Sequence, residues 1–337
     1  MIELLDIGDR VEIGSYHVFS RFRGATAFVR DEGSDLAVVV EEAKGAGPCQ
    51  IVVRGYDFAG IDSLAVSRDR VVLDGAALEI RSRYRSRLNV GRIDPTTLIR
   101  NLNALRAALL DSAPARSMVF LPGSGSAFEA ALARRFRHGV SLLLGGDLES
   151  GACAIAGLGF GLTPSGDDFL AGLLLGMYAA GAPSLERHRV YQAARSSNAF
   201  SESLLRCAAA GCCIEPAQSL IHALFAGTEA DVARHTTRLS AVGASSGADL
   251  AAGLYSFLAS SGTQRALWGR MVSCAPVGNR RWAAIFKRQQ AGERRAGNRE
   301  LPVENRGYGP SPAHAAHQQV SFVKVAVNEA GFAIEIG

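Results

Sequence analysis

The chain has 337 residues, 48% of them hydrophobic and 20% charged, which allows two domains of ordinary size and a large core. Its formal charge of +4 is uneven: eight Lys/Arg and two Glu between Arg270 and Glu300 carry +6, leaving −2 for the rest, so the globular part does not call for a nucleic-acid partner. No apolar run reaches the roughly 18 residues of a membrane span, and the opening Met1-Ile-Glu-Leu-Leu-Asp is too short and acidic for a secretory leader, so the expected location is cytoplasmic, with no membrane partner.

Residues 1–90 read as a β-rich domain. Val11 to Phe19 alternates loosely, and Gly24 to Val29, Leu36 to Val40 and Gln50 to Arg54 are short β-branched runs between Gly, Asp and Pro clusters. Val71 to Ile80 reads as a hairpin turning at Asp74-Gly75. Strands this short and this closely spaced suggest a small barrel or sandwich. Arg81, Arg83, Arg85 and Arg87 alternate with Ser82, Tyr84 and Ser86. Such a strip is more often a solvated edge that discourages strand pairing than a basic face aimed at an anion.

Residues 91–265 read as a helical bundle. Asp94-Pro95 is an N-cap with Pro at the first helical position, and Leu98, Leu102, Leu105 and Leu109 follow at helical spacing. Ser126 and Glu129 form a capping-box pattern after Gly123-Ser-Gly-Ser126, a glycine loop without the Lys that a P-loop needs. Helices are expected from Ser201 to Gly211, from Glu215-Pro216 to Gly227, and from Ala230 to Leu239. Residues 266–337 read as a basic, irregular tail, with a β-hairpin over Val320 to Ile336 that turns at Asn328 to Gly331.

The stretch with most chemistry is Gly157-Leu-Gly-Phe-Gly-Leu-Thr-Pro-Ser-Gly-Asp-Asp-Phe-Leu-Ala-Gly172, a glycine loop running into a helix apolar on every face. Thr163 and Ser165 are natural N-cap residues, and Ser165 with Asp168 fits a capping box. Free N–H groups at a helix start attract anions, helped by the helix dipole. The signature recurs without gaps 81 positions later: Ser165-Gly166-Asp167-Asp168 aligns on Ser246-Gly247-Ala248-Asp249, and the Ala, Gly and Leu that follow recur as well. Two helices that start alike suggest a pseudo-symmetric pair with both N-termini near one pocket.

Candidate catalytic residues are Asp167 and Asp168. Asp167 is preferred, because capping already accounts for Asp168 and Ala248 stands opposite Asp167 in the second copy. Candidate substrate-binding residues are Gly159, Gly161, Thr163, Ser165, Gly166, Ser246, Gly247 and Asp249. The six cysteines, at 49, 153, 207, 212, 213 and 274, form no Cys-x-x-Cys pair and read as free thiols; the seven histidines form no His-x-x-x-His pair, so a zinc site has little support. No cofactor fingerprint is present. Mg²⁺ is left open, since two adjacent carboxylates make only a weak site.

The motif from Gly157 to Gly172 closely resembles that of the AllH-like (YlbF-like) family, which includes a subunit of oxamate carbamoyltransferase. The resemblance runs roughly over residues 15–262, taking in the β-rich start, Ser201, Leu204-Leu205 and the second Ser246-Gly-Ala-Asp249. Two positions depart from the family pattern: Phe160 where most relatives carry Pro, and Ala244 where they carry a bulkier polar residue, often His. The resemblance implies a subunit acting with FdrA-like and AllG-like partners to interconvert oxalurate plus phosphate with oxamate plus carbamoyl phosphate. Such chemistry needs an anion site and oxyanion donors, which the N–H groups of residues 165–167 and 246–248 would supply, with Asp167 or Asp168 taking the proton. The competing reading is a non-catalytic scaffold, in which Gly172, Gly176 and Gly253 let helices approach closely.

Overall fold

The structure is a computed structural model. It describes residues 2–260, apart from 56, 59, 92–93, 121–126, 160 and 197, together with 327–328 and 331–332. The described residues all belong to one compact unit; a second, 266–320, lies outside the described residues.

The chain is α+β. Its N-terminal part folds β1 (Glu3–Gly8), β2 (Gly14–Phe22), β3 (Ala25–Arg30), β4 (Leu36–Glu41), β5 (Gln50–Arg54), β6 (Ser63–Val66), β7 (Arg70–Leu73), β8 (Ala76–Glu79) and β9 (Arg83–Tyr84) into one sheet. The order is β8-β7-β6-β2-β3-β4-β5-β1-β9, with β4–β5 and β1–β9 parallel and the other pairs antiparallel. The small barrel or sandwich expected from the strand spacing is realised as a single curled sheet, a half-barrel whose concave side holds Ile7, Phe28, Val39, Ile51, Leu64 and Leu73. The β7–β8 hairpin turns at Asp74-Gly75, where Asp74 (φ 46°) and Gly75 (φ 83°) have the paired positive angles of a tight hairpin turn. The arginine strip is an edge, in keeping with its alternation. Arg83 sits in the outermost strand, Arg81 pairs with Glu79, and Arg83 donates to the Arg68 carbonyl.

The helices are α1 (Pro95–Ser112), α2 (Ala127–Leu144), α3 (Leu148–Ile155), α4 (Ser165–Ala179), α5 (Ser184–Ala194), α6 (Ala199–Ala209), α7 (Glu215–Ala226), α8 (Glu229–Ser240) and α9 (Ser246–Ala259). Helix α1 starts as read: Asp94 caps it by accepting from Thr97 N, Pro95 is the first helical residue, and Leu98, Leu102, Leu105 and Leu109 are buried. The Ser126 half of the expected capping box lies outside the described residues. Helix α3 is not among the expected elements. It is only eight residues long, and its start is marked by Asp147, which accepts from Ser150 N. Of the expected C-terminal hairpin, the described part is a short antiparallel ladder of Val327–Asn328 (β10) with Gly331–Phe332 (β11); the rest lies outside the described residues.

Helices α4 and α9 form the centre, buried along nearly their whole length. Gly172 faces Leu250 and Leu254, Gly176 faces Leu254 and Phe257, and Gly253 faces Phe169 and Leu173, so the two helices run in the same direction. A Cβ on Gly172 would collide with the Leu250 carbonyl oxygen, and one on Gly253 with the Phe169 carbonyl oxygen. Those contacts exchange under the 81-residue offset, the signature of a local two-fold axis between the helices. Missing side chains at the crossing let the backbones touch, a close approach only glycine permits.

The sheet joins the helices through the corner between α6 and α7. Leu88 N donates to Gly211 O, Cys213 N to Ser86 O, Glu215 N to Ala46 O, and the Tyr84 hydroxyl to Cys213 O at 3.0 Å. No described helix is long and apolar enough to cross a membrane.

Candidate functional site

The local two-fold brings the starts of α4 and α9 together, as the repeated motif implies. Thr163 Oγ1 lies 3.2 Å from Ser246 Oγ, and Ser165 Oγ lies 3.4 Å from Ser245 Oγ. The hydrogen-bonding detail differs from the expectation in two ways. Ser165 is the first helical residue after Pro164 and makes no capping bond; α9 likewise follows Ser245 without one. Nor are all the helix-start N–H groups free. Gly166 N donates to Leu158 O, Asp167 N and Asp168 N to Pro164 O, Gly247 N to Val242 O, and Asp249 N to Ser245 O. The preceding loop folds back on each helix start and takes these donors. That is why residue 166 is glycine: a Cβ there would strike the Ile155 carbonyl. Gly159 has φ 112° and rests on Ser165, while Gly161 is exposed, so both shape the loop.

The two adjacent aspartates diverge. Asp167, fully buried, accepts from Gly157 N at 2.7 Å through Oδ1, and its Oδ2 has no hydrogen-bond partner. It anchors the glycine loop. Asp168 turns toward Thr163, whose hydroxyl donates to its Oδ2 at 3.2 Å, and receives a second bond from Ser246. Asp168 has no capping role in the structure, which removes one of the two grounds for preferring Asp167; the other, Ala248 opposite Asp167 in the second copy, is a matter of sequence alone. The capping expectation failed because Pro164 and the returning loop already fill that position. Among the described residues no cluster of three or more His, Cys, Asp or Glu is placed to hold a metal.

Asp168 opens onto a cavity of about 260 Å³ between the sheet and the helices. Thr163, Ser246 and Gly247 share its polar end; Leu36 and Val38 of β4, Cys49 and Gln50 before and at the start of β5, Phe200, Ser203 and Cys207 of α6, and Leu250 of α9 make up much of the rest. None of the described lining residues is Lys, Arg or His. Burial in this mostly apolar wall, reinforced by the nearby Asp249 and Asp167 carboxylates and opposed by the Ser246 and Thr163 hydroxyls, pushes the Asp168 carboxyl up to about 8. Burial therefore favours the protonated form of Asp168.

Asp249, the symmetry mate of Asp168, is buried on the other side of the axis. Its Oδ1 accepts from Ser117 Oγ and Met118 N, both at 2.6 Å, and its Oδ2 has no hydrogen-bond partner. Burial pushes its carboxyl up as well. One copy of the signature thus faces a cavity while the other is tied to the segment before α2. Of the ten candidate residues, Thr163, Asp168, Ser246 and Gly247 line the cavity; Ser165 and Asp249 sit behind it, Gly159 and Gly161 shape the loop before α4, and Gly166 and Asp167 in the first turn of α4 hold that loop. The cavity residues from the sheet, and Ser203 and Cys207, are not among the residues that sequence reasoning singles out. They carry no local pattern, and only the sheet's packing against α6 brings them here.

Residues 155–258 match the model of a family described as oxamate carbamoyltransferase subunit AllH. The match spans both helix starts of the local two-fold and is narrower than the 15–262 over which the resemblance runs. No curated protein and no solved structure matches the chain. Residues 155–258 are thus similar to that family, over less than half of the chain.

Proposed function

We propose, from the AllH-like character of residues 155–258, that this chain is a subunit of a carbamoyltransferase complex whose cavity receives a small amide-bearing acid such as oxalurate or oxamate. The observation that carries the reading is Asp168, a buried carboxyl pushed up to about 8, at the polar end of an otherwise apolar cavity and held by Thr163 and Ser246. When phosphate attacks the carbamoyl carbon of oxalurate, the departing oxamate nitrogen must gain a proton. An acid still protonated at pH 7 is suited to give it, and in the reverse direction the resulting carboxylate takes the proton back. Thr163 and Ser246 orient the carboxyl. An apolar wall with one neutral acid suits the amide end of such a substrate better than a phosphate dianion, and the substrate's own carboxylate takes its donors from outside this lining. FdrA-like and AllG-like subunits are the proposed partners.

The test is thermal shift of the purified chain with oxalurate, oxamate and carbamoyl phosphate, repeated on Asp168→Asn, followed by carbamoyl-transfer assay with the partner subunits. Stabilisation of the wild type by oxalurate or oxamate, with transfer lost in the variant while it stays folded, supports the reading. Full transfer activity in Asp168→Asn would sink it. The scaffold reading has its own observation: Gly166, Gly172, Gly247 and Gly253 are all required by backbone packing, whatever the cavity does. It predicts no ligand-dependent shift and partner assembly unaffected by Asp168→Asn.

A further inference from the structure

We propose that Cys49 and Cys207 are a peroxide-sensitive thiol pair that closes into a disulfide across the cavity wall. Their sulfurs lie 4.0 Å apart, one just before β5 of the sheet and the other on α6. Both line the cavity, so a small oxidant that enters it meets both. Ser203 Oγ lies 3.5 Å from Cys49 Sγ, giving that sulfur a second hydrogen-bonding neighbour.

The two thiols are not equivalent. Cys49 is partly exposed and Cys207 is buried. The hydrogen bond with Cys207, together with the Ser203 bond and the Arg206 guanidinium, holds the Cys49 thiol below the usual range despite burial, and the same bond pushes Cys207 up. Cys49 is the attacking sulfur and Cys207 the resolving one. The Cys49 thiolate attacks the outer oxygen of a hydroperoxide. An S–O bond forms, the O–O bond breaks, and an alcohol leaves after taking up a proton; from hydrogen peroxide the product is water. Cys207 then loses its proton, attacks the sulfenic sulfur, forms the S–S bond and expels water. Two thiols are oxidised and one hydroperoxide is reduced to an alcohol and water. Bringing sulfurs from 4.0 Å to the ~2.05 Å of a disulfide draws the chain before β5 toward α6 and narrows the cavity beside Asp168.

The inference does not rest on the carbamoyl-transfer reading, and its test needs no substrate. The full chain is reduced, treated with hydrogen peroxide, blocked with N-ethylmaleimide, digested and mapped by mass spectrometry. The expected result is a Cys49–Cys207 cross-linked peptide, a fall of at least about tenfold in alkylated Cys49, and recovery on reduction. In Cys207→Ser, Cys49 should instead accumulate a dimedone-reactive sulfenic acid; in Cys49→Ser, Cys207 should stay alkylatable. Both cysteines remaining alkylatable while exposed Cys153 is oxidised would overturn the proposal, as would a cross-link that joins Cys207 to Cys212 instead. The wild-type map decides between these results even if a variant does not fold.

Discussion

Replacing Asp168 by Asn keeps the side chain's shape and removes only its ionisation. The wild-type carboxyl is held near about 8 in the folded chain, against 3.8 for an ordinary aspartate in the unfolded chain. Below about pH 4 both folded and unfolded chains are protonated there, and the site costs nothing. As pH rises the unfolded chain releases the proton first, so each unit between those values weakens folding by about 1.36 kcal/mol. By pH 7 the accumulated loss is about 4 kcal/mol, and above pH 8 it levels off near about 6 kcal/mol, both order-of-magnitude ceilings. Asn carries no such loss. Urea denaturation of wild type and Asp168→Asn over this pH range should give a stability difference that is smallest near pH 4, grows in favour of Asn with rising pH, and flattens above pH 8. A difference independent of pH, or one that favours the wild type at neutral pH, would refute both the raised carboxyl and its burial as cause. Carbamoyl transfer should move the opposite way, falling by about 10²–10⁴-fold, so the variant would exchange function for stability.

If Asp168 acts as the acid, the wild-type rate of oxalurate breakdown should decline as pH passes about 8, following loss of the carboxyl proton; a rate that rises through that range would exclude the role. Gly172→Ala and Gly253→Ala should each destabilise by more than about 3 kcal/mol, because the new methyl meets a backbone carbonyl that cannot swing away. Gly157→Ala, at φ 69° with open space around it, should lose only about 1–2 kcal/mol, and equal midpoints for the three variants in calorimetry would contradict the close helix crossing. Ser117→Ala removes a donor from the buried Asp249 carboxyl and should destabilise by about 1–3 kcal/mol, read by denaturant titration.

Local chemistry made much of this protein legible in one dimension. Asp94-Pro95 started a helix because cap and proline act within four residues, and Asp74-Gly75 turned a hairpin because only such residues accept both positive angles. The 81-residue repeat foretold that two helix starts meet, since helices that share glycines at Gly166/Gly247 and Gly172/Gly253 pack alike. The α+β class and the AllH-like motif were readable for the same reason: they live in patterns of type and spacing. Which aspartate faces the cavity was not readable. Neighbouring residues on a helix point about 100° apart, and the choice between Asp167 and Asp168 was made by where loop 157–164 returns and where the sheet packs. The same long-range packing closed the cavity with Leu36 and Val38 and brought Cys49 beside Cys207 across 158 positions of chain. A residue's neighbours in sequence set its backbone; its chemistry here was set by residues that only the fold makes neighbours.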